Sequence, residues 1–375
     1  MKICMISSEF PPESAGIGNF AYNLSQGLQK KGNEVVILTR GNLKNQFQGD
    51  FHGVDVHRVR FLPLPPFHIS IHGYFMKKYL SQIDLDSFDL IHYHTPLVPY
   101  LATDLPTVTT VHSSWSTESL RYNQITDLHS FYIKLFSRFL IKNEGDVIRK
   151  TDKVTTVGCQ VAKDIQASYD VDPSQISVVG NGVDTNFFTP PKTYRDNGKI
   201  LYSGRLVYGK GLMDLVGAAK TVCGKYPKTS FIIAGEGLLK PKLKSLVQKL
   251  HLEKNFEFLG HIDQSKLLKH YQNDSIYVLP SYGEGLPSAV LEAMSCAMPV
   301  VATNVSGINE VVEDGRTGLL VPPNAPDLLA KALLNLLEND DLRNSIGENG
   351  RNQVKNKFTW NIVTDNILMA YDEVI

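Results

Sequence analysis

The sequence lacks several features that would place it in a specialised class of protein. Its four cysteines include no C-x-x-C pair, which argues against a disulfide framework or a zinc site and favours a reducing cytosol. Lysine plus arginine and aspartate plus glutamate both total 38, so the zero net charge does not indicate nucleic-acid binding. The sequence has no run of about 18 apolar residues, the length needed to span a bilayer. The apolar segment at its start is too short for a signal peptide. We therefore expect a cytoplasmic protein with no nucleic acid among its partners.

Short β-branched runs alternate with helix-length amphipathic segments along the whole chain. KICMISS, EVVILTR and DLIHYH are typical of the first half, and KILYSG, TSFIIAGEG and SIYVLP of the second. Near-continuous apolar strands separated by helices predict parallel sheets that are covered on both faces. A chain of 375 residues is also long for a single core. The pattern therefore predicts an α/β protein with two doubly wound domains in tandem.

A break in this pattern indicates where the two domains separate. The segment NFFTPPKTYRDNG, from Asn186 to Gly198, contains two prolines and many polar residues, and it predicts a linker. The closing segment is helical and is expected to cross back onto the first domain. The predicted first domain comprises residues 1–187 and 358–375, and the predicted second domain residues 199–357.

The stretch Ser203–Gly211, SGRLVYGKG, nearly matches the Walker A pattern of ATP-binding loops. Gly211 stands where that pattern needs a serine or threonine to bind magnesium, and the next strand ends without the Walker B aspartate. What remains is Arg205 and Lys210, two cations beside a glycine-rich turn at a helix start. This combination favours a diphosphate that is neutralised by protein side chains rather than by a metal ion. A plain β–α turn with two solvated cations is the simpler alternative.

The first β–α connection contains a second glycine motif, Gly16-Ile17-Gly18 followed by Ala21. It matches G-x-G-x-x-A, but a Pro-Pro loop separates it from the preceding strand, and the next strand ends at Arg40 instead of an acidic residue. An NADP-dependent oxidoreductase therefore remains an alternative, in which Arg40 would bind the 2′-phosphate. The interpretation that we favour is a long loop whose backbone at Gly16 can approach a ligand.

Two glutamates, Glu284 and Glu292, flank seven residues in GEGLPSAVLE. Pro287 predicts the first turn of a helix, which would place Glu284 at the helix N-terminus and Glu292 about one turn inside. Free amides at such a start can hold an anion, and the carboxylates can accept hydrogen bonds from sugar hydroxyls. On spacing alone, a solvated pair of glutamates is the commoner explanation.

This segment, with PVVAT and SGINEVVEDGRTGLLVPP after it, resembles the E-x7-E signature of retaining, metal-independent GT-B glycosyltransferases. That group includes bacterial phosphatidylinositol mannosyltransferases and sucrose synthases. Other pieces follow in the family's order: the Pro-Pro loop before Gly16, VHSS at Val111–Ser114, NGVDTNFF, SGRLVYGKG and AGEG. The resemblance covers essentially the whole chain. It implies two Rossmann-like domains that face each other across a cleft.

The resemblance also implies a site for a nucleoside-diphosphate sugar that uses no metal and no other cofactor. Arg205 and Lys210 would bind the donor diphosphate, and Glu292 would hold the nucleotide ribose. Glu284 would face the donor sugar and phosphate. The remaining implied site residues are Gly285 and Leu286 beside the phosphate, Gly260, His261 and Ile262 at the base, and His112 near the transferred sugar.

Two positions depart from the family's common pattern. Ala15-Gly16 stands where a Gly-Gly pair is frequent, and Ser306–Asn309 stands where Gly-Gly-x-Pro is frequent. Each departure would adjust the fit of the donor without removing a charge. Separately, His92 and His94 lie on one face of DLIHYH, and without a third ligand we interpret them as structural.

The resemblance thus implies a retaining glycosyltransferase that moves a hexose or N-acetylhexosamine from a UDP- or GDP-linked donor. The acceptor would be a glycan or a lipid-linked molecule. Besides the oxidoreductase, a nucleotide-sugar 2-epimerase of the same architecture and a non-catalytic binder of sugar nucleotides remain alternatives.

A basic stripe in the segment 130–142 indicates where a membrane would be contacted. Lys134, Arg138 and Lys142 recur every four residues along a helix that is rich in phenylalanine. Such a helix can lie on an anionic bilayer, which would place the protein on the cytoplasmic membrane face. A core helix with a solvated basic face is the alternative.

Overall fold

The computed structural model describes residues 1–12, 16–41, 47–64, 67–83, 85–117, 128–191 and 198–375. Within these ranges, side chains are described except at positions 47, 86 and 128–134. The chain divides into two compact units, Met1–Asn181 with Trp360–Ile375, and Gly182–Thr359. Across the described ranges, no helix combines the length and the apolar character needed to cross a bilayer.

The first unit has a sheet with the strand order β3-β4-β2-β1-β5-β6-β7-β8. Every pairing is parallel except that of β3 with β4. The strands are β1 (Lys2–Ser7), β2 (Glu34–Arg40), β3 (Phe47–Phe51), β4 (Val54–Val59), β5 (Leu90–Thr95), β6 (Thr107–Val111), β7 (Lys153–Thr156) and β8 (Ile176–Val178). The helices before the second unit are α1 (Gly16–Lys30), α2 (His68–Leu80), α3 (Leu128–Lys150) and α4 (Cys159–Tyr169).

The central strand β1 shows why the first half of the sequence reads as continuous apolar runs. Ile3, Cys4, Met5 and Ile6 are each 0% exposed, although successive side chains point to opposite faces of the sheet. Both faces are therefore buried, as in parallel sheets covered by helices. The predicted doubly wound arrangement is confirmed.

The edge strand β3 was not predicted, and it forms an antiparallel hairpin with β4. The chain turns at His52 and Gly53, which both have positive φ, 51° and 86°. The Asp50 side chain accepts the amide of Gly53 at 3.0 Å and steadies the turn. Two successive left-handed residues match the two-residue turns that join antiparallel strands. The turn residues, and not the pattern of apolar residues, were the sequence feature that could have predicted this hairpin.

The second unit has a parallel sheet with the strand order β11-β10-β9-β12-β13-β14. Its strands are β9 (Lys199–Ser203), β10 (Ser230–Ala234), β11 (Phe256–Gly260), β12 (Ile276–Leu279), β13 (Val300–Thr303) and β14 (Leu319–Val321). Its helices are α5 (Leu212–Lys225), α6 (Lys240–Lys249), α7 (Gln264–Asn273), α8 (Ser288–Ser295), α9 (Pro326–Glu338) and α10 (Asp340–Lys357).

The closing helix α11 (Trp360–Asp372) belongs to the first unit, as predicted. It packs on α1 so closely that a Cβ atom at Gly27 would lie 2.1 Å from the Thr364 hydroxyl oxygen. The Trp360 ring meets Phe20 edge-on, with the ring centroids 5.2 Å apart. Glycine at position 27 therefore permits the contact that holds the end of the chain on the first unit.

The boundary between the units falls at Asn181 and Gly182, ahead of the predicted linker. Phe188 already lies in the second unit, where it is 2% exposed. Its carbonyl accepts the Ser295 hydroxyl at 2.7 Å. The prolines that suggested a linker therefore follow the boundary, because Phe188 before them is packed in the second unit.

Candidate functional site

Two loops at the carboxyl ends of parallel strands carry the charged residues predicted for the second unit. The β9 loop (Gly204–Gly211) follows β9, and the β12 loop (Pro280–Pro287) follows β12, the neighbouring strand. The backbone amide of Tyr282 donates to the carbonyl of Gly209 at 2.8 Å and joins the loops directly. This edge is where open α/β sheets place their ligands.

Gly211 occupies the position where the Walker A pattern needs a hydroxyl residue. Its φ is 64°, and a Cβ atom would lie 1.8 Å from the carbonyl oxygen of Pro280. Both the left-handed backbone and the contact with the β12 loop therefore require glycine here. Serine or threonine would push the two loops apart, so the departure from the ATPase pattern has a structural cause.

Lys210 and Glu284 form an ion pair between the two loops. Lys210 Nζ lies 2.6 Å from Glu284 Oε1, and the two side chains are only 20% and 11% exposed. The Ser281 hydroxyl donates to the same carboxylate oxygen at 2.5 Å. Glu284 lies in the loop ahead of α8, which begins at Ser288, and not in the first turn of that helix. The sequence did not indicate Ser281, whose role depends on the fold of the loop.

The backbone of the β9 loop fixes the base of the exposed Arg205 side chain. The Tyr202 hydroxyl donates to the Arg205 carbonyl at 2.9 Å. The next amide, that of Leu206, donates to the Glu236 carbonyl at 2.8 Å. The Arg205 side chain therefore starts from a fixed point in the same loop as Lys210, although no hydrogen bond among the described residues joins its guanidinium to the ion pair.

The AGEG loop after β10 owes its glycines to backbone contact with the β9 loop. A Cβ atom at Gly235 would lie 1.9 Å from the Gly204 carbonyl oxygen, and one at Gly237 would lie 2.3 Å from that of Leu206. The Gly235 amide donates to the Gly260 carbonyl at 2.8 Å. Three neighbouring strand ends are thus brought into direct backbone contact.

The predicted base-contact residues lie at the end of β11 and just beyond it. Gly260 has a φ of 72°, and a Cβ atom there would lie 2.8 Å from Glu236 Oε1. His261 is exposed and Ile262 is half-buried. Their position at the same edge as the AGEG loop is compatible with a ligand that extends from the β9 loop across β10.

Glu292 lies about one turn inside α8, as its spacing predicted. Its carboxylate accepts the hydroxyl of Tyr271 at 2.9 Å, and that hydroxyl also lies 2.8 Å from the Ser203 hydroxyl. Burial raises the pKa of the Glu292 carboxyl to about 7, and the Tyr271 hydrogen bond acts in the opposite direction. Tyr271, from α7, was not identified from the sequence because nothing nearby in the chain marks it.

Gly285 and Leu286 lie between the two glutamates, in the part of the β12 loop that meets the Ser306–Asn309 segment. A Cβ atom at Gly307 would lie 2.1 Å from the Gly285 carbonyl oxygen, and Gly307 has a φ of 78°. Leu286 is buried. Where the family frequently has two glycines, Ser306–Asn309 has only Gly307. The close contact with the β12 loop requires glycine at this position.

In the first unit, the predicted residues Gly16 and His112 also lie at a carboxyl edge. Gly16 is the first residue of α1, and no described atom lies within 4 Å of the position of a Cβ atom there. His112 follows β6, and burial lowers the pKa of its imidazole to about 3. His112 is therefore neutral at pH 7.

The structure gives His94 a role that the sequence did not. His94 Nδ1 lies 3.2 Å from His112 Nε2, and the two rings are stacked with centroids 5.5 Å apart. The second ring nitrogen of His94 is buried without a hydrogen-bond partner. The ring of His92 is tilted by 37° against that of His94, with the centroids 4.3 Å apart, and His92 Nδ1 lies 2.7 Å from the Tyr371 hydroxyl of α11. The interpretation of His94 as merely structural was incomplete, because pairing of β5 with β6 places it against His112.

Comparisons with known proteins agree with this arrangement of strands and loops. A family model described as glycosyl transferases group 1 matches residues 184–353, and one described as glycosyltransferase family 4 matches residues 14–187. The chain is 26% identical over 389 residues to an uncharacterized glycosyltransferase of Methanocaldococcus jannaschii, covering 99% of this chain and 98% of that protein. It is 29% identical over 392 residues to a human phosphatidylinositol N-acetylglucosaminyltransferase subunit, covering 100% of this chain and 76% of that protein.

Solved structures show the same fold. A sucrose-phosphate synthase from Thermosynechococcus elongatus superposes with a TM-score of 0.85 at 22% identity, covering 99% of this chain and 98% of that one. The Anabaena HepE protein in complex with UDP and glucose gives 0.76 at 17% identity, covering 100% of both chains.

The fold and the loop geometry thus define a GT-B protein with two Rossmann-like units. Between them the two family models match residues 14–353: a glycosyltransferase family 4 domain in the first unit and a glycosyl transferases group 1 domain in the second. The chain is therefore a glycosyltransferase of the GT-B class. The oxidoreductase and epimerase alternatives receive no support from these comparisons.

Proposed function

We propose that this glycosyltransferase uses a nucleoside-diphosphate sugar and transfers its hexose or N-acetylhexosamine with retention of anomeric configuration. The acceptor is a glycan or a lipid-linked molecule. The observation that carries the proposal is the ion pair of Lys210 and Glu284, held between two loops at the carboxyl edge of the second sheet. It offers a cation for a diphosphate and a carboxylate for sugar hydroxyls within one site.

Breaking the bond between the anomeric carbon and the diphosphate makes negative charge on the leaving group. Lys210 and Arg205 stabilise that charge as it develops, from positions that the loop backbone has already fixed. When the diphosphate takes Lys210, Glu284 is left to accept hydrogen bonds from the sugar, with Ser281 still bound to it. Two cations supply the charge that a metal ion supplies in an ATPase, so we propose that the reaction needs no metal.

Glu292 is proposed to hold the nucleotide ribose, with its carboxylate oriented by Tyr271. The backbone amides of Gly285 and Leu286, in the β12 loop, are proposed to bind the phosphate. Gly260, His261 and Ile262, at the end of β11 and just beyond it, are proposed to contact the base.

His112 and Gly16 contribute from the first unit in this proposal. Because His112 is neutral at pH 7, it acts as a hydrogen-bonding group toward the transferred sugar and not as a cation. No side chain is assigned as a covalent nucleophile. We propose front-face attack by the acceptor, assisted by the leaving phosphate.

The names of relatives support a sugar nucleotide and a lipid-linked or phosphorylated acceptor. The human relative is a phosphatidylinositol N-acetylglucosaminyltransferase subunit. A Corynebacterium jeikeium relative, 26% identical over 422 residues, is a D-inositol 3-phosphate glycosyltransferase. The HepE structure contains UDP and glucose.

Thermal unfolding with UDP, GDP, ADP and NADPH, each with and without EDTA, tests the proposal. We expect one diphosphate to raise the melting temperature equally with and without EDTA, and the effect to disappear in Arg205→Ala and Lys210→Ala. Stabilisation by NADPH alone, or by ADP only in the presence of magnesium, would contradict the proposal.

We also propose that α3 brings the protein to the cytoplasmic face of a membrane. Arg138 and Lys142 lie on this helix, while the side chain of Lys134 lies outside the described residues. Leu135 is 61% exposed and Phe67, whose ring lies 6.2 Å from that of Phe139, is 58% exposed. Exposed apolar groups beside cations suit an anionic bilayer. Unchanged binding to anionic vesicles after Lys134, Arg138 and Lys142 become Glu would reject this contact.

A further inference from the structure

The guanidinium of Arg40, at the end of β2, is fixed at one side, and its two terminal nitrogens remain available to a ligand. Its Nε donates to the Ser8 carbonyl, and its guanidinium carbon lies 4.9 Å from the centre of the Phe61 ring. The two terminal nitrogens have no hydrogen-bond partner among the described residues. A guanidinium that is fixed at Nε and stacked on an aromatic ring presents its two terminal nitrogens in the geometry that pairs with an oxoanion.

The neighbouring Arg58 provides a comparison at the same edge, because one of its terminal nitrogens has hydrogen-bond partners. Its Nη2 donates to the Pro11 carbonyl at 2.5 Å and reaches the Phe10 carbonyl at 3.4 Å. Arg58 therefore ties the loop after β1 to β4 and has a structural explanation. Arg40 has an equally fixed base but lacks such an explanation for its terminal nitrogens.

Two histidines of α2 surround the same aromatic ring. The rings of His68 and His72 meet Phe61 edge-on at centroid distances of 6.2 Å and 5.4 Å. His72 Nδ1 donates to the Arg60 carbonyl at 3.1 Å. His68 Nδ1 and His72 Nε2 are buried without partners. Unpaired buried polar atoms are uncommon, and two of them beside an open arginine fork indicate a site whose electrostatics are completed by a ligand.

The electrostatics of this cluster favour a negative ligand. The positive charge of Arg40 lowers the pKa of both histidines, after burial as the larger cause. Glu9 acts on Arg40 in the opposite direction and raises its pKa, but burial is the larger effect there too. An anion would stabilise the guanidinium and allow His68, which is half-buried, to take up a proton.

The distance from this cluster to His112 suits an acceptor of modest size. Arg40 ends β2, and His112 follows β6, which is three strands away in the order β2-β1-β5-β6. At roughly 4.8 Å per strand, the two strand ends are about 14 Å apart along the same carboxyl edge. This is the reach of a sugar or two carrying a charged group.

We propose that Arg40, with His68 beside it, binds an oxoanion, a phosphate or carboxylate, carried by the acceptor. The proposal rests on the transferase function proposed above and names the chemical class of its acceptor. It also gives Arg40 a ligand other than the NADP 2′-phosphate that the sequence had suggested.

The test is thermal unfolding with inorganic phosphate in a Lys210→Gln background, which weakens phosphate binding at the proposed donor site. We expect phosphate to stabilise this variant, and we expect Arg40→Gln to weaken the apparent phosphate affinity about 10-fold or more. Arg58→Gln is the matched control and should lower the melting temperature without changing the phosphate dependence. Arg40→Lys keeps the charge but not the two terminal nitrogens of the guanidinium, so its apparent phosphate affinity should lie between that of the Lys210→Gln protein and that of its Arg40→Gln derivative. It replaces Arg40→Gln if that variant does not fold.

A second arm separates a free phosphate from a lipid headgroup. Vesicles of phosphatidylcholine with and without phosphatidate are sedimented with the Lys210→Gln protein and its Arg40→Gln derivative. If Arg40→Gln abolishes binding of either probe, the site is supported, and the probe that is lost identifies the oxoanion as a free phosphate or a lipid headgroup. Phosphate and vesicle binding that are both unaffected by Arg40→Gln would overturn it. Binding of a nucleoside diphosphate to the unmodified protein is measured in parallel, so failure here is distinguishable from failure of the donor site.

Discussion

The carboxyl edges of the two sheets are built with different chemistry. In the second unit, charged side chains are paired across loops that touch through glycines, as at Lys210, Glu284 and Gly211. In the first unit, neutral imidazoles are stacked at the strand ends, as at His94 and His112. The first arrangement suits a diphosphate, whose charge must be neutralised. The second suits a neutral sugar, which needs oriented hydrogen bonds and exclusion of water.

The largest expected effect tests whether glycine contact builds the second edge. Gly211→Ser supplies the Walker hydroxyl but places a Cβ atom 1.8 Å from the Pro280 carbonyl oxygen at a φ of 64°. We expect a loss of about 3 kcal/mol or more in unfolding free energy, measured by urea denaturation, and no magnesium-dependent ATP binding. Gly209→Ser is the control, since no described atom lies within 4 Å of its Cβ position. Equal stability of the two variants would contradict the prediction.

Removing the central cation should abolish most of the activity. Lys210→Ala takes away the partner of Glu284 and the charge proposed for the leaving group. We expect kcat/KM for the sugar nucleotide to fall roughly 100- to 1000-fold. Lys225→Ala removes an ion pair with Glu338 in which both side chains are exposed, and should leave kcat/KM unchanged. A similar loss in both variants would show that the assay reports folding and not the site.

The ionised Glu292 carboxylate should lower the stability of the fold at high pH, although the same carboxylate is proposed to bind the ribose. Because its pKa is raised from 4.5 to about 7, the folded state binds its proton more tightly than the unfolded state does. The cost of ionising it appears as the pH rises from about 4.5 to 7. Glu292→Gln should therefore be more stable than the unmodified protein at pH 8, by roughly 2 kcal/mol, and equally stable at pH 4.

The same Glu292→Gln variant should bind the nucleoside diphosphate more weakly at pH 8, because the ribose loses a carboxylate acceptor. Urea denaturation at both pH values and calorimetry at pH 8 give the two measurements. A variant that is less stable at pH 8 would mean that the buried carboxylate is held ionised by the fold.

The smallest expected effect concerns the histidines of the first edge. His94 Nε2 is buried without a partner, and an unpaired acceptor is less costly than an unpaired N–H. His94 should therefore donate from Nδ1 to His112 Nε2, which leaves the proton of His112 on its own Nδ1. We expect His94→Leu to lower kcat about 10-fold with little change in KM for the donor.

His94→Asn keeps a polar group near the position of Nδ1 and should restore most of the loss. Nitrogen NMR of labelled histidines checks the cause, because the two tautomers of His112 have different ring shifts. A His112 that carries its proton on Nε2 in the unmodified protein would show that the direction of the hydrogen bond is reversed.

Much of the second edge could be predicted from the sequence because its signals are local. Glycines in SGRLVYGKG and AGEG mark backbone contacts, and the spacing of Glu284 and Glu292 places the latter one turn inside a helix. The helix start was placed too early, since Glu284 lies in the loop that the ion pair with Lys210 holds. The residues that orient the charged groups, Tyr271 and Ser281, could not be found in this way.

The sequence alone determined most of the strands in their chain order, the glycine-bearing loops and the charged residues after them, because each depends on a few neighbouring residues. Only the tertiary structure decided which strand ends are neighbours. Pairing of β5 with β6 brings His94 to His112, and packing of α7 brings Tyr271 to Glu292. Contacts between residues far apart in the chain are set by strand order and helix packing, which the apolar pattern of a single segment does not specify.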